Sequence, residues 1–200
     1  MLCECAASVP SEVRLADRIE AGEDVMLIEP LPSAFKQLAS KWDVYPNVSL
    51  HNVAIALDEG HAVMLEPQPG TSGTFMKGVY SPAFHKRQKR LRTTSYRVDA
   101  VRFSSIDPGD ITELYLDMEG SEWFVLQHLL SQPGIITIEM RSTHSTYKNP
   151  FATEIVEWMA INSYELQAEK DGDNVYHHRY LPSSNESHIT DSIRFGQGPD

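Results

Sequence analysis

The chain has 200 residues, 41% of them hydrophobic and 22% charged, and a formal net charge of −11. This length suits one ordinary domain with a buried core, and the composition is typical of a soluble globular protein. The negative charge argues against a general binder of nucleic acid or acidic membranes, and no apolar run approaches the length that spans a bilayer.

The first predicted strand is "LCECA" (residues 2–6), and no basic and apolar leader precedes it. It contains the only two cysteines, Cys3 and Cys5. Residues two apart in a strand are poorly placed to form a disulfide with each other. We therefore expect free thiols and a cytoplasmic protein.

Strands and helices are then predicted in alternation. "VMLIEP" (25–30) is a buried strand, "SAFKQLASKW" (33–42) is a helix with Ser33 as N-cap, and 47–57 and 61–67 are strand regions. Residues 68–97 are poorly patterned and contain "HKRQKRLR" (85–92), which is rich in Lys and Arg. We interpret this basic segment as a solvated helix face or loop, or else as a positive lid over an anionic group.

The second half repeats the alternation. Strands are predicted at 95–101, at "LYLDME" (114–119) and at "IITIEM" (135–140), with helices at 121–132 and at 149–162, the latter opened by Asn149. Residues 164–181 predict a β-hairpin around "DGDN", and the chain from 182 onward is polar. We expect one domain over 1–181 followed by a loosely held tail, 182–200.

Alternation of this kind predicts an α/β fold with a mostly parallel sheet and helices on both faces. Glu29, Asp117, Glu119 and Glu139 all end predicted buried strands at its carboxyl edge, where such sheets bind ligands. Glu122 is expected in the first turn of the next helix, where a negative charge suits the helix dipole.

Glu29 follows the second strand at the position where nucleotide-binding folds place an acid on the ribose hydroxyls. The loop after the first strand contains Ala6, Ser8 and Pro10 where a cofactor loop normally has glycines. A NAD-type oxidoreductase needs G-x-G-x-x-G at this point, and the chain has none, so that reading is disfavoured.

Four segments together, "LIEPLPSAFKQL", "PNVSLHNVAIALDEG", "LYLDMEGSEWFVLQHL" and "IITIEM", resemble the FkbM-type methyltransferases. The resemblance implies S-adenosylmethionine as cofactor and a small-molecule hydroxyl, such as that of a sugar, as methyl acceptor. It also implies the Rossmann-like class I methyltransferase fold, with seven strands and an antiparallel last strand. The family usually has glycine where Ala6 stands and often asparagine where Ser8 stands.

The resemblance also assigns residues. Glu29 would hold the cofactor ribose, while Asn52, Val53 and Ala54 would flank the adenine. Glu4 and the turn from Ala6 to Ser8 would lie against the methionine part of the cofactor, and Asp117 and Glu119 beside the sulfonium and the acceptor.

Methyl transfer requires alignment of the acceptor oxygen and removal of its proton. Asp117 is the candidate base, with Glu119 beside it, because neighbouring carboxylates raise each other's pKa. Glu139 and His144 are candidates for the acceptor pocket. Two alternatives stay open: a divalent metal on Asp117, Glu119, Glu139 and His144, and a non-catalytic binding protein that kept the fold but lost the glycines.

Overall fold

The computed structural model describes residues 1–67, 75–78, 93–140, 148–170 and 172–181. The strands are β1 (Leu2–Cys5), β2 (Val25–Ile28), β3 (Val48–His51), β4 (Ala54–Ile55), β5 (Gly60–Pro67), β6 (Phe75–Met76), β7 (Thr93–Val101), β8 (Glu113–Leu116), β9 (Ile135–Glu139), β10 (Tyr164–Lys170) and β11 (Asp173–His178). The helices are α1 (Ala16–Glu20), α2 (Pro32–Trp42), α3 (Glu122–Leu126) and α4 (Ala152–Ile161), with one short 3₁₀ turn at Phe103–Ser105.

Seven strands form the large sheet in the order β10-β11-β9-β8-β1-β2-β3. From β9 to β3 all neighbours are parallel, whereas β11 runs antiparallel to both β9 and β10. The predicted fold is therefore confirmed, including the antiparallel last strand and the carboxyl-terminal hairpin. Strand order reverses between β1 and β8, which places the expected ligand crevice at their carboxyl ends.

Alternate residues of the central strands are buried in two different cores. Leu2 and Leu27 pack with α1 and α2 on one face, through side chains such as Trp42. Cys3 and Ile28 belong to the other core, which contains side chains of α3 and α4. Both faces of β1 and β2 are thus covered, which explains their continuous apolar sequences.

A second sheet, with the order β4-β7-β5-β6, was not predicted. Here β5 and β7 pair antiparallel, and Ala62, Met64, Val98 and Ala100 are buried in the core shared with the large sheet. The predicted single strand region 47–57 is wrong, because β3 belongs to the large sheet and β4 to the small one. The break falls at Asn52, whose side chain donates hydrogen bonds to the Glu29 and Pro30 carbonyls.

The helix predicted over 121–132 is wrong in length, since α3 ends at Leu126. The backbone N–H groups of Leu130 and Ser131 donate to the buried Asp107 carboxylate, at 2.7 and 2.8 Å. These hydrogen bonds hold the chain after α3 in a turn. The helix is therefore shorter than predicted, although the helical spacing of the leucines continues to Leu130.

Two helix starts also differ from the prediction. α2 begins at Pro32, one residue before the expected N-cap Ser33, because proline suits the first helical position. α4 begins at Ala152, and Asn149 instead accepts a hydrogen bond from the Phe151 N–H before the helix. Among the described helices none is long and apolar enough to cross a membrane.

Candidate active site

A cavity of about 270 Å³ lies at the carboxyl ends of β1, β2 and β8. Its lining includes most of the residues predicted for the site: Glu4, Ala6, Ser8, Glu29, Val53, Ala54, Asp117 and Glu119. These residues come from four separate segments of the chain, and the fold brings them to one edge of the parallel sheet. Such a site at the point where strand order reverses is the usual ligand position in this kind of fold.

Glu29 connects the first loop, the segment between β1 and α1 (residues 6–15), to the start of α2. Its Oε2 accepts a hydrogen bond from the Ser8 N–H at 2.9 Å, and its Oε1 accepts one from the Leu31 N–H at 2.8 Å. Burial raises the pKa of this carboxyl to about 7, against the lowering effect of these two donors. Each carboxylate oxygen retains a second lone pair, so the side chain is able to accept ligand hydroxyls as well.

The first loop has an unusual backbone. Ala6 and Ser8 have φ values of 63° and 56°, in the left-handed region that favours glycine. Glu4, on β1, fixes the far end of the loop by accepting hydrogen bonds from the Arg14 and Leu15 N–H groups at 3.1 and 3.2 Å. Burial raises the pKa of Glu4 to about 7. The loop therefore keeps a tight conformation without the glycines.

Part of the cavity lining is apolar. Ile28, Leu31, Ala54 and Ile55 line it, and the small sheet adds Met64 and Met76. The two methionines were missed from the sequence, because residues 62–65 are all apolar and do not show which side chains of β5 face the cavity. Asn52 is not part of this lining, since its side chain holds the β2 terminus instead.

The turn after β8 carries Asp117 and Glu119. Glu119 has a φ of 51° and is followed by Gly120 with a φ of 105°, so two consecutive residues adopt the left-handed conformation. The pKa of Glu119 is raised to about 7 by burial and by the charges of Asp117 and Glu122. Burial also raises the pKa of Asp117, while Arg14 opposes the rise.

Glu122 shapes this turn from within the core. Its side chain is fully buried, and its Oε1 accepts hydrogen bonds from the Met118 and Gly120 N–H groups at 2.7 and 3.2 Å. Its Oε2 accepts one from the Asn149 Nδ2 at 2.7 Å. The sequence prediction of a first-turn helix position was correct, but the carboxylate acts on the preceding turn as well.

Glu139, predicted for the acceptor pocket, is not part of the cavity lining. Its Oε2 is buried and has no hydrogen-bond partner among the described residues, and burial together with the surrounding carboxylates raises its pKa to about 9. At neutral pH it is therefore a neutral acid beside Asp117. His144 and the basic segment lie outside the described residues. Within the described ranges, no three His, Cys, Asp or Glu side chains form a group suited to a metal ion.

Arg14 is a cavity residue that the sequence analysis missed. Its Nη1 donates to Asp173 Oδ2 at 2.6 Å, and its Nη2 donates to Asp117 Oδ2 at 3.2 Å. It is the only Lys or Arg among the described residues that line the cavity. No local pattern marks it, because its two partners lie more than 100 positions away in the chain.

None of the curated proteins matches the sequence. Two solved structures resemble the fold, the methyltransferase domains of bacterial CtHen1-C and of bacterial CtHen1-CN. Each is 8% identical, with TM-scores of 0.48 and 0.47; the alignments cover 88% of this chain and 88% and 89% of those chains.

A family model for the methyltransferase FkbM domain matches residues 4–166. The matched segment runs from Glu4, on β1, into β10, and so contains the cavity residues described above. Because the match covers most of the 200 residues, the chain belongs to the FkbM methyltransferase domain family.

Proposed function

We propose that the protein is an S-adenosylmethionine-dependent methyltransferase that acts on a hydroxyl group of a sugar or another small molecule. The observation that supports this most is the cavity itself, in which the first loop, Glu29 and the turn bearing Asp117 and Glu119 meet. Family membership supports the methyltransferase class, and the cavity supports the cofactor.

The lining residues fit the parts of S-adenosylmethionine. Glu29 offers a carboxylate to the ribose hydroxyls, and the apolar end near Leu31, Val53 and Ala54 offers a surface to the adenine. In this proposal the first loop, with Glu4 behind it, would contact the methionine part. When bound, the cofactor supplies an electrophilic methyl group on a sulfonium, whose positive charge the neighbouring carboxylates favour.

Asp117 is the candidate base. Its side chain is 44% exposed and lines the cavity, so an acceptor hydroxyl is able to reach it. A pKa raised above the ordinary range makes the carboxylate a better proton acceptor near neutral pH. Glu119, with a pKa of about 7, provides a second carboxylate on the same turn.

The charges around the cavity favour a neutral acceptor. Among the described residues, five carboxyl groups line it, those of Glu4, Glu12, Glu29, Asp117 and Glu119, against the guanidinium of Arg14. An anionic acceptor would be repelled by this excess, whereas hydroxyls of a sugar would find hydrogen-bond acceptors.

A non-catalytic binding protein is the second candidate. Ala6 favours it, since it places a side chain where the resemblance to the family implies glycine, and Ser8 stands where the resemblance implies asparagine. The retained acids oppose it, because burial of several carboxyl groups is costly unless a ligand compensates.

Calorimetric titration with S-adenosylmethionine tests the proposal. We expect binding by the wild-type protein and an affinity reduced tenfold or more in Glu29→Gln, because a hydrogen bond to a charged group contributes about 1.5–3 kcal/mol. Asp107→Asn is the matched control, since this buried acid lies outside the cavity and accepts hydrogen bonds from the Gly109 N–H and from the turn after α3. Absence of binding to the folded wild-type protein at millimolar cofactor would refute the proposal that it is an S-adenosylmethionine-dependent enzyme.

A further inference from the structure

Arg14 links three elements at the edge of the cavity. Its backbone N–H is fixed by Glu4, at the end of β1. Its guanidinium then reaches Asp117, after β8, and Asp173, the first residue of β11. The carboxyl-terminal hairpin is thereby connected to the candidate base, although 56 positions separate the two aspartates in sequence.

The two aspartates differ in exposure. The Asp173 side chain is 16% exposed and the Asp117 side chain 44%. The shorter contact, at 2.6 Å, is made to the more buried aspartate. Asp173 thus anchors the guanidinium, and the second nitrogen of the planar group is directed at Asp117.

The surroundings of Asp117 are otherwise acidic. The groups that face it or its neighbours are carboxyls from every adjacent element: Glu4 from β1, Glu119 and Glu122 from its own turn and α3, Glu139 from β9, and Asp173 from β11. Arg14 is the positive charge that offsets them within the described residues around the cavity. Without it, burial and like charges would both favour protonated Asp117.

We propose that Arg14, anchored by Asp173, is a positioning residue that keeps the Asp117 carboxylate ionised and turned toward the acceptor. This inference rests on the proposed function, because it assumes that Asp117 serves as the base. In this arrangement the carboxyl-terminal hairpin contributes Asp173 to the site. Substitutions at Arg14 and at Asp173 should change the pKa of Asp117 in opposite directions.

The test is the titration of Asp117 in the full chain, followed by carboxyl ¹³C NMR with labelled aspartate. The Asp117 signal is assigned by its loss in Asp117→Asn. In Arg14→Gln we expect the pKa of Asp117 to rise by about one unit, a tenfold change in its ionisation constant. In Asp173→Asn we expect it to fall, because a negative charge is removed and Arg14 is left to Asp117 alone.

Arg18→Gln is the control, because Arg18 contacts Glu23 and Glu113 and makes no contact with Asp117. An Asp117 pKa that stays unchanged in Arg14→Gln, or that moves in the same direction in both variants, overturns the inference. If Arg14→Gln does not fold, Arg14→Lys provides the same test, since it keeps the charge but loses the two-pronged geometry and should raise the pKa less. The measurement uses no cofactor, so a failed cofactor titration would refute the proposed function without deciding this point.

Discussion

Ala6 and Ser8 show at the level of single residues how the loop of a cofactor site is kept without glycine. The left-handed region costs a residue with a Cβ about 1–2 kcal/mol. Both residues adopt this unfavourable conformation, and the hydrogen bond from the Ser8 N–H to Glu29 helps to hold it. The loop retains its shape at the expense of stability.

Replacement of Ala6 by glycine should therefore stabilise the protein. We expect Ala6→Gly to raise the free energy of unfolding by about 0.5–1 kcal/mol, since relief of strain exceeds the added entropy of the unfolded chain. Ala7→Gly is the matched control; its residue is buried and has no positive φ, so it should lower stability by about 1 kcal/mol. Urea denaturation measures the free energy of unfolding of both variants. Equal effects of the two substitutions would contradict backbone strain at Ala6.

At the level of elements, the turn between β8 and α3 is the part of the site with the most internal support. Glu122 holds the turn from inside, and Asn149, which precedes α4, holds Glu122. The Asn149 Nδ2 also donates to the Glu139 carbonyl at 3.2 Å. One buried amide thus joins the turn that carries Asp117 to the end of β9 and the start of α4.

Removal of this amide should destabilise the fold. Asn149→Ala leaves the Glu122 carboxylate, the Glu139 carbonyl and the Phe151 N–H without this partner, and we expect a loss of about 2–4 kcal/mol in the free energy of unfolding. Asn162→Ala is the control, because its exposed side chain makes one hydrogen bond to the Trp158 carbonyl and should cost less than about 0.5 kcal/mol. Thermal or urea denaturation measures the free energy of unfolding of both variants. Similar losses in the two would exclude a role of Asn149 in linking these elements.

For the whole molecule, the buried carboxyl groups predict an unusual pH dependence of stability. Glu4, Glu29, Glu119 and Glu122 have pKa values raised to about 7, and Glu139 to about 9. In the unfolded chain a glutamate titrates near about 4.3. Between these values the folded state binds more protons than the unfolded one, so stability decreases as pH rises.

We therefore expect the free energy of unfolding of the ligand-free protein to fall steadily from about pH 5 to about pH 9. The contribution of each group is complete below its unfolded pKa and is lost as the pH passes its folded pKa. Urea denaturation at a series of pH values measures the slope. Glu139→Gln, which imitates the neutral acid, should flatten the curve above about pH 8. A stability that increases between pH 6 and 8 would contradict this.

The sequence by itself determined the alternation of strands and helices, the carboxyl-terminal hairpin and most of the acids at the carboxyl edge. Hydrophobic runs and turn residues are local signals, and the side chains at the ends of parallel strands necessarily share one edge of the sheet. Glu29, Asp117 and Glu119 were placed in the cavity region by this argument and by the resemblance to the family.

Only the tertiary structure decided where distant residues meet. The early end of α3 depends on Asp107, which lies 23 and 24 positions before the N–H groups that it binds. The pairing of β5 with β7, the use of Asn149 beside Glu122, and the contact of Arg14 with Asp117 and Asp173 likewise join segments far apart in the chain. Such contacts leave no periodic pattern, because their partners are selected by the packing of the folded chain and not by the neighbours in sequence.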